Sequence, residues 1–150
     1  MDTADWNYTV RELHTSDMDK LEGLLDSLVH LRKVRENLSN TQIKSALEKI
    51  NAQDGHVFVV IHEGKILGVA TVLIEQKIIH DAGRVAHVED VSVNEEHTGQ
   101  GVGTVLMNKL IEYAHSRKCY KIILDCKPEL ESFYKRHGFR SHEIAMRRDF

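Results

Sequence analysis

The junction between residues 88–94 and residues 98–103 constrains the fold of this chain more than any other stretch. Over residues 84–94, β-branched or apolar side chains recur at every second position, which predicts a strand. From Val102 onward, apolar side chains recur at steps of three and four residues, which predicts an amphipathic helix. The sequence therefore predicts a strand that leads through a glycine-rich loop into a helix.

Three glycines, Gly99, Gly101 and Gly103, alternate along this loop, and no proline interrupts it. Glycine lets the backbone adopt conformations closed to other residues, and the absence of proline leaves every N–H group in place. A helix N-terminus carries unpaired N–H donors and about half a positive charge, so it attracts phosphate groups. We predict a pyrophosphate cradle here, and the alternative is a tight turn that needs glycine for steric reasons alone.

Two other phosphate-binding loops compete with this interpretation. A Walker A loop ends in Gly-Lys-Ser/Thr, whereas Gly103 is followed by Thr104 and Val105. A dinucleotide-binding fold is the stronger rival, because Asp125 ends a predicted strand about twenty residues later. Against it, residues 94–98 separate the strand from the loop, and the single strand-helix-strand unit that follows is too little for a doubly wound sheet.

Length, composition and charge limit the class of protein. A chain of 150 residues, 41% hydrophobic and 29% charged, suits one globular domain spanning residues 1–150. A formal net charge of −3 argues against a nucleic-acid partner, and no apolar run reaches the length of a membrane span. Residues 1–5 lack a signal-peptide pattern, and the two cysteines, Cys119 and Cys126, are poorly placed to bridge. We expect a cytoplasmic or other reducing intracellular compartment.

The remaining elements follow from the same two periodicities. A capping-box pattern at Ser16–Asp19 predicts a first helix, and Ser39 or Asn40 is expected to cap a second. Gly68 is expected at a bulge or close approach, and Pro128 is expected to start a helix that Gly138 ends. The inward helical stripes are Leu21, Leu24, Leu25, Leu28 and Leu31, then Ile43, Ala46, Leu47 and Ile50. The predicted strands span 8–13, 56–62, 66–78, 84–94, 120–126 and 139–147, and the fifth is expected to be central because it is almost uniformly apolar.

Several motifs together resemble the GNAT superfamily of acetyl-coenzyme A (acetyl-CoA)-dependent N-acetyltransferases. They are the strand meander, the loop 100–103 that opens a helix, the strand after it and the segment 133–139. Segments 75–80, 87–91 and 119–126 are similar to the glucosamine 6-phosphate N-acetyltransferases within it. Thr98 stands where the superfamily loop usually begins with Gln or Arg. The resemblance implies an α+β GNAT-like fold with a central, mostly antiparallel mixed sheet of about six to seven strands, flanked by about four helices.

The resemblance also implies where acetyl-CoA binds as the cosubstrate. The thioester carbonyl is expected against the backbone of Val91, Ser92 and Val93, and the alternative role of these residues is plain sheet packing. The pyrophosphate is expected over the loop residues Gly99, Gln100, Gly101, Val102, Gly103 and Thr104.

Four residues are candidates for the chemistry. Tyr134 is the candidate general acid, because a phenol can give a proton to a departing thiolate, and its alternative role is a core aromatic. Glu89 and Asp90 are adjacent on a strand, so we expect them to point to opposite faces and not to form one carboxylate pair. The resemblance marks both as lining the substrate site, where one binds the sugar or helps to deprotonate the amine. Asp125 is expected near the coenzyme or the reacting groups, and its alternative role is a helix cap.

A sugar phosphate needs cations and polar groups to hold it. By resemblance and charge, the substrate-binding candidates are Lys77, His80, Glu89, Asp90, Tyr120, Lys121 and Arg148. Each cation alone is more often a solvated surface charge. The ten histidines form no recognised metal motif, so we predict no metal, and Cys126 has no evident base.

The expected function is transfer of acetyl from acetyl-CoA to the amine of D-glucosamine 6-phosphate by direct attack in a ternary complex. Its product is the N-acetyl sugar phosphate used for nucleotide-sugar synthesis. The alternatives are acetylation of another small amine or a protein N-terminus, and a non-catalytic acyl-CoA sensor. The family is usually a homodimer with composite sites, so we expect a homodimer, a small-molecule substrate, no nucleic acid and no membrane span.

Overall fold

The structure is a computed structural model that describes residues 7–28 and 38–150. It is built on one five-stranded sheet with the order β1-β2-β3-β4-β5. Neighbouring strands from β1 to β4 are antiparallel, and β5 lies parallel to β4 after a helical crossover. The strands are β1 (Thr9–Glu12), β2 (Gly55–His62), β3 (Lys65–Gln76), β4 (Arg84–Val93) and β5 (Cys119–Ile123).

The helices differ in length, and α4 is the crossover that joins β4 to β5. Short 3-10 helices precede α1, follow β4 and precede α5, at Thr15–Asp19, Glu95–His97 and Pro128–Leu130. The α-helices are α1 (Leu24–Leu28), α2 (Asn40–Ala52), α4 (Val102–Ser116) and α5 (Glu131–Arg136). The label α3 denotes a single turn (Ile79–Ala82) in which His80, Asp81 and Ala82 have left-handed φ angles. Within the described residues, no helix is long and apolar enough to cross a membrane. The predicted mixed, mostly antiparallel α+β architecture is confirmed.

Each face of the sheet has its own apolar cluster because the strand residues alternate in direction. Phe58 and Val60 of β2 pack with Leu106 and Leu110 of α4 on one face. Val57, Val59 and Ile61 of β2 pack with Leu24 and Leu47 of the N-terminal helices on the other. The central strands are therefore almost continuously apolar, and α4 is held against the sheet directly behind the glycine loop.

Glycine explains two details of this packing. The β2–β3 hairpin turns at Glu63 and Gly64, whose φ angles of 48° and 75° are those of a type I′ turn. Gly68 lies beside a register shift between β2 and β3, and a Cβ atom there would stand 2.8 Å from Cγ1 of Val102. The predicted close approach at Gly68 is confirmed, because α4 begins against this bare backbone.

The N-terminal helical prediction needs three corrections. The expected first helix is divided into a 3-10 helix and α1, because Gly23 between them has a φ of 89° and lies against the backbone of β3. The capping box predicted at Ser16–Asp19 is wrong, because the 3-10 helix begins at Thr15 with His14 as its N-cap and Asp17 as the capping partner. Leu31 lies outside the described residues. Ser39 caps α2 as predicted, but Ala46 is exposed instead of facing inward.

The C-terminal third differs most from expectation. Residues 139–147 form no strand, because their backbone has no ladder partner within residues 7–28 and 38–150, and the sheet has five strands instead of six or seven. The strand β5 is an edge strand and not a central one. The apolar residues of β5 have another reason. Ile122 packs against the core, and Ile122 and Ile123 also line a groove of about 790 Å³. The helix from Pro128 that ends at Gly138 is confirmed.

Candidate active site

The glycine loop is held by Asn94, the residue that follows β4. Asn94 is buried, its backbone N–H donates to the carbonyl of Leu67 at 2.8 Å, and its side chain accepts from the N–H of Glu96 at 3.0 Å. These bonds close the 3-10 turn and direct the chain across the end of the sheet toward Gly101. Gly101 is the N-cap of α4 and has a left-handed backbone with φ of 81°.

The three glycines of the loop serve two different purposes. Gly99 and Gly101 both have φ near 80° and open space where a Cβ atom would stand, so their backbone conformation is what requires glycine. Gly103 has ordinary helical geometry, and a Cβ atom there would stand 3.3 Å from Cζ of Phe133. The steric alternative therefore explains Gly103, whereas Gly99 and Gly101 leave an open surface.

Unpaired amides face this surface. The N–H groups from Gly101 to Thr104 have no backbone acceptor among the described residues, as expected for the first turn of a helix. A helix N-terminus of this kind favours an anion, and the helix has fifteen residues to support its dipole. The geometry fits a pyrophosphate. That residues 99–104 bind the coenzyme stays a prediction.

Beyond His87, the outer edge of β4 has no strand partner within the described residues. The pairing of β4 with β5 runs from Arg84 to His87 and stops there. On the other side, a bulge opposite Ala70 interrupts the pairing with β3, and Asp90 within it has a φ of 52°. The backbone of Val91 and Val93 therefore lies at an opening between two strands, where it can meet a ligand carbonyl. The side chain of Ser92 is buried on the other face and donates to the carbonyl of Ser27.

Three carboxylates gather at this opening. Glu89 and Asp90 are both exposed, so the regular alternation expected for this pair is absent, and the bulge at Asp90 is the reason. Although the Glu89 side chain is exposed, its carboxylate has lost part of its surrounding water, and this desolvation is the largest cause that raises its pKa above the ordinary value. The negative charges of Asp90 and Asp125 raise it further. Asp125 does not cap the following helix, because Lys127 occupies the N-cap position. Glu89 therefore takes up a proton more readily than an ordinary glutamate does.

Tyr134 of α5 is buried, with 6% of its surface exposed, and lines the groove beside β5. Its ring packs edge-on against Phe133 and Phe139, so the alternative role as a core aromatic is confirmed. Burial is the main cause that raises the pKa of its phenol, which keeps the hydroxyl protonated. A buried ring and a groove-facing phenol are compatible, and the role as an acid stays a prediction.

The predicted phosphate ligands divide into two groups. His80 stacks on Tyr120 with ring centroids 4.2 Å apart, and the ammonium of Lys121 lies 5.7 Å from the same ring. Lys77 is nearby and already pairs with Glu75, with Nζ and Oε1 2.6 Å apart. Arg148 is not part of this cluster, because its guanidinium lies over the ring of Phe150 in the extended C-terminal segment.

Sequence reasoning missed Glu75 and His87. Glu75 pairs with Lys77 through one carboxylate oxygen and with Nε2 of His87 through the other. These two contacts are the chief causes that lower the pKa of Glu75. Because Glu75 lies opposite Val85 in the ladder, His87 is its diagonal neighbour on the same face. That relationship becomes visible in the sequence only when the strand register is known.

Comparison with known proteins gives one family. A family model described as the acetyltransferase (GNAT) family matches residues 21–139. Glucosamine 6-phosphate N-acetyltransferase 1 of Oryza sativa subsp. japonica is 33% identical over 144 residues, which cover 93% of this chain and 85% of that protein. Glucosamine 6-phosphate N-acetyltransferase of Trypanosoma brucei brucei is 33% identical over 140 residues, which cover 92% of this chain and 95% of that protein.

Solved structures give the same result. The crystal structure of glucosamine-6-phosphate N-acetyltransferase from Arabidopsis thaliana matches with a TM-score of 0.86 at 30% identity, covering 96% of this chain and 99% of that chain. A Trypanosoma brucei acetyltransferase matches with a TM-score of 0.87 at 32% identity, covering 96% of this chain and 100% of that chain. The strand, glycine loop and helix described above lie within the matched region. This chain belongs to the GNAT family of acetyltransferases.

Proposed function

We propose that this chain transfers the acetyl group of acetyl-CoA to the amine of D-glucosamine 6-phosphate by direct attack in a ternary complex. The observation that carries the proposal is that relatives named for this reaction align over more than nine-tenths of the chain, at 33% identity. Three features of the structure support the proposal: a helix start that favours an anion, a strand edge with no partner among the described residues, and three carboxylates near one opening. Each is a part that amine acetylation needs.

The coenzyme is held by backbone groups in this proposal. The unpaired amides from Gly101 to Thr104 bind the pyrophosphate, and the open space above Gly99 and Gly101 admits it. Backbone N–H groups at the outer edge of β4 near Val91 and Val93 orient and polarise the carbonyl. When bound, acetyl-CoA supplies the acetyl group as a thioester.

Glu89 prepares the amine. An aminosugar enters as an ammonium, which Glu89, Asp90 and Asp125 attract, and an ammonium must lose a proton before its nitrogen can attack. The raised pKa of Glu89 brings this carboxylate closer to the pKa of an amine than an ordinary carboxylate would be, so it is the preferred acceptor. As the carbon–nitrogen bond forms and the carbon–sulfur bond breaks, Tyr134 gives its hydroxyl proton to the departing sulfur. The second proton, which the nitrogen loses as it becomes an amide, restores the Tyr134 hydroxyl. The products are the N-acetyl sugar phosphate and free coenzyme A.

The sugar phosphate is held by Lys77, His80 and Lys121. In the ladder, Lys121 lies opposite Val85, four residues before Glu89, which corresponds to about 13 Å along the strand. This separation is long for the amine and the phosphate of a single aminosugar phosphate. A site that uses both groups is more easily formed if the cations come from a second copy of the chain.

We infer that the chain forms a homodimer with composite sites. The outer edge of β5 has no neighbouring strand within the described residues, although Ile122 and Ile123 make the second half of the strand apolar. Near it, the C-terminal segment exposes Ile144, Met146 and Phe150, which are 88%, 92% and 113% exposed. An unpaired strand edge beside an exposed apolar segment favours association between copies. Light scattering that gives the monomer mass at all assayed concentrations would contradict the dimer.

Mixing two impaired variants tests the composite site. In a dimer that joins Lys121→Ala with Tyr134→Phe, one site receives an intact Lys121 from one copy and an intact Tyr134 from the other. Half of the randomly reassorted dimers are mixed and one of their two sites is intact, so about a quarter of wild-type activity should return. If each chain uses its own Lys121, the mixture should be no more active than the two single variants assayed separately.

The reaction itself is tested by thiol release across a panel of amines that includes glucosamine with and without the 6-phosphate. Loss of two charge-assisted hydrogen bonds to the phosphate should lower kcat/KM about a hundredfold for the unphosphorylated sugar. Lys77→Ala should impair the phosphorylated sugar selectively, whereas the control Lys44→Ala, which breaks a surface pair with Asp19, should impair neither. Equal kcat/KM for both sugars would favour another small amine, and coenzyme binding without thiol release would favour an acyl-CoA sensor.

We also infer that the protein works in a reducing compartment. Cys126 is exposed at the groove beside Tyr134, and neither it nor Cys119 is in a disulfide. An exposed thiol next to the reacting groups is preserved where thiols are kept reduced. Fractionation of cells that produce the protein, followed by thiol labelling, tests this inference.

A further inference from the structure

Tyr8 joins the start of the first strand to the glycine loop, 92 residues away in sequence. Its hydroxyl donates to the carbonyl of Gln100 at 3.1 Å. Its half-buried ring packs against the core cluster that contains α4, and lies edge-on to His62 of β2 with centroids 6.1 Å apart. Two elements of the sheet therefore fix the direction from which this hydroxyl reaches the loop.

The carbonyl that Tyr8 engages has a special place in the helix. In a continued α-helix, the N–H of residue i donates to the carbonyl of residue i−4, so Gln100 is the acceptor assigned to Thr104. No such bond is formed among the described residues, although the next one, from Val105 to the carbonyl of Gly101, is present at 3.1 Å. Tyr8 thus satisfies the carbonyl of Gln100 while the amide of Thr104 stays available.

The same residue is held on two further sides. The N–H of Gln100 donates to the carbonyl of His97 at 3.3 Å, and its side-chain oxygen lies 2.9 Å from Nδ1 of the same histidine. A peptide unit is planar and trans, so its C=O and N–H point in opposite directions. With the carbonyl of Gln100 directed at Tyr8, the N–H of Gly101 must point away from Tyr8.

We propose that Tyr8 is a positioning residue for the coenzyme, whose hydroxyl orients the Gln100–Gly101 peptide so that the amides of Gly101 and Thr104 face the pyrophosphate. The proposal rests on the pyrophosphate site of the proposed function. Burial raises the pKa of the Tyr8 phenol, which keeps its hydroxyl in the donating form. Tyr8 touches neither reacting group, so it acts on coenzyme affinity and not on the chemical step.

The test compares Tyr8→Phe with Tyr113→Phe. Both changes remove one hydroxyl from a ring that packs on the same core cluster, but the hydroxyl of Tyr113 accepts from Arg117 at 2.5 Å, near the far end of α4. Calorimetric titration with coenzyme A alone should give a Kd about fivefold higher for Tyr8→Phe, as expected for one lost hydrogen bond. Tyr113→Phe should bind coenzyme A as the wild type does.

A second measurement separates orientation of the loop from general loosening. S-acetylpantetheine carries the same thioester but no pyrophosphate, so its kcat/KM should be unchanged in Tyr8→Phe while that of acetyl-CoA falls about fivefold. An unchanged Kd for coenzyme A, or an equal loss with both donors, would overturn the proposal. The titration needs no acceptor, so an error in the sugar substrate would leave its result intact.

Discussion

A Cβ atom on Gly68 would stand only 2.8 Å from Cγ1 of Val102, the first residue of α4. The helix that carries the glycine loop is therefore seated directly on bare backbone of β3. Gly68→Ala should lower the free energy of unfolding by about 1 to 3 kcal/mol, the usual cost of overpacking a core. Urea denaturation of this variant in the wild-type and Val102→Ala backgrounds checks the cause, because the shortened side chain should relieve most of the loss. Equal losses in both backgrounds would point to a cause other than this contact.

Gly101→Val should weaken the binding of coenzyme A at least tenfold. A β-branched residue with φ near 81° is strained by about 1 to 3 kcal/mol, so the loop moves away from the conformation that exposes its amides. Gly64→Val is the matched control, because Gly64 also has a positive φ and open space at its Cβ position, but lies in the β2–β3 hairpin. Both variants should lose similar stability, and only Gly101→Val should lose coenzyme affinity in a calorimetric titration. Similar affinities for the two variants would argue against the cradle.

Tyr134→Phe should lower kcat by roughly tenfold or more while the Kd for coenzyme A stays nearly constant. The ring contacts with Phe133 and Phe139 are kept, and only the proton donor for the departing sulfur is lost. Single-turnover measurements isolate the chemical step from product release. A variant that reacts at the wild-type rate in single turnover would show that Tyr134 is only a core residue.

The pH dependence of kcat/KM should report the carboxylates around Glu89. Glu89 must be ionised to accept a proton, so activity should fall as the pH drops through its raised pKa. Because the charge of Asp90 helps to raise that pKa, Asp90→Asn should move the acid limb of the profile to lower pH. The amine of the substrate titrates identically with both enzymes, so it cannot produce the difference. An acid limb at the same pH in both would exclude Glu89 as the acceptor.

The ionised carboxylate of Asp17 should stabilise the fold at neutral pH, and this stabilisation should be lost in acid. Hydrogen bonds from Arg11 are the main cause that lowers the pKa of this carboxyl from 3.8 to about 2. Since the folded pKa lies below the unfolded one, the stabilisation is complete above about pH 4 and is lost as the pH falls toward 2. Asp17→Asn should cost about 1 to 2 kcal/mol at neutral pH, reduced from the full shift because Arg11 is 40% exposed. Urea unfolding of the wild type and Asp17→Asn at pH 7 and pH 2.5 checks this. An equal difference in the free energy of unfolding between the two proteins at both pH values would contradict the prediction.

Local patterns were sufficient for the elements whose signals are local. The alternation over residues 84–94, the three- and four-residue steps after Val102 and the glycines between them predicted β4, the loop and α4, because each depends on neighbouring side chains. Gly138 and Pro128 marked the ends of a helix for the same reason, through their own backbone restrictions. The motifs at these positions were also what linked the chain to its family.

Tertiary structure decided what depends on partners distant in sequence. The apolar composition of β5 is the same for a central strand as for an edge strand beside a groove, so periodicity could not place it. The bulge at Asp90 became visible only in the register with β3, and with it the grouping of Glu89, Asp90 and Asp125. The bond from Tyr8 to Gln100 joins residues 92 positions apart, and no local pattern records such a contact. The sequence by itself determined the helix start that favours an anion, while packing of the sheet decided which side chains surround it.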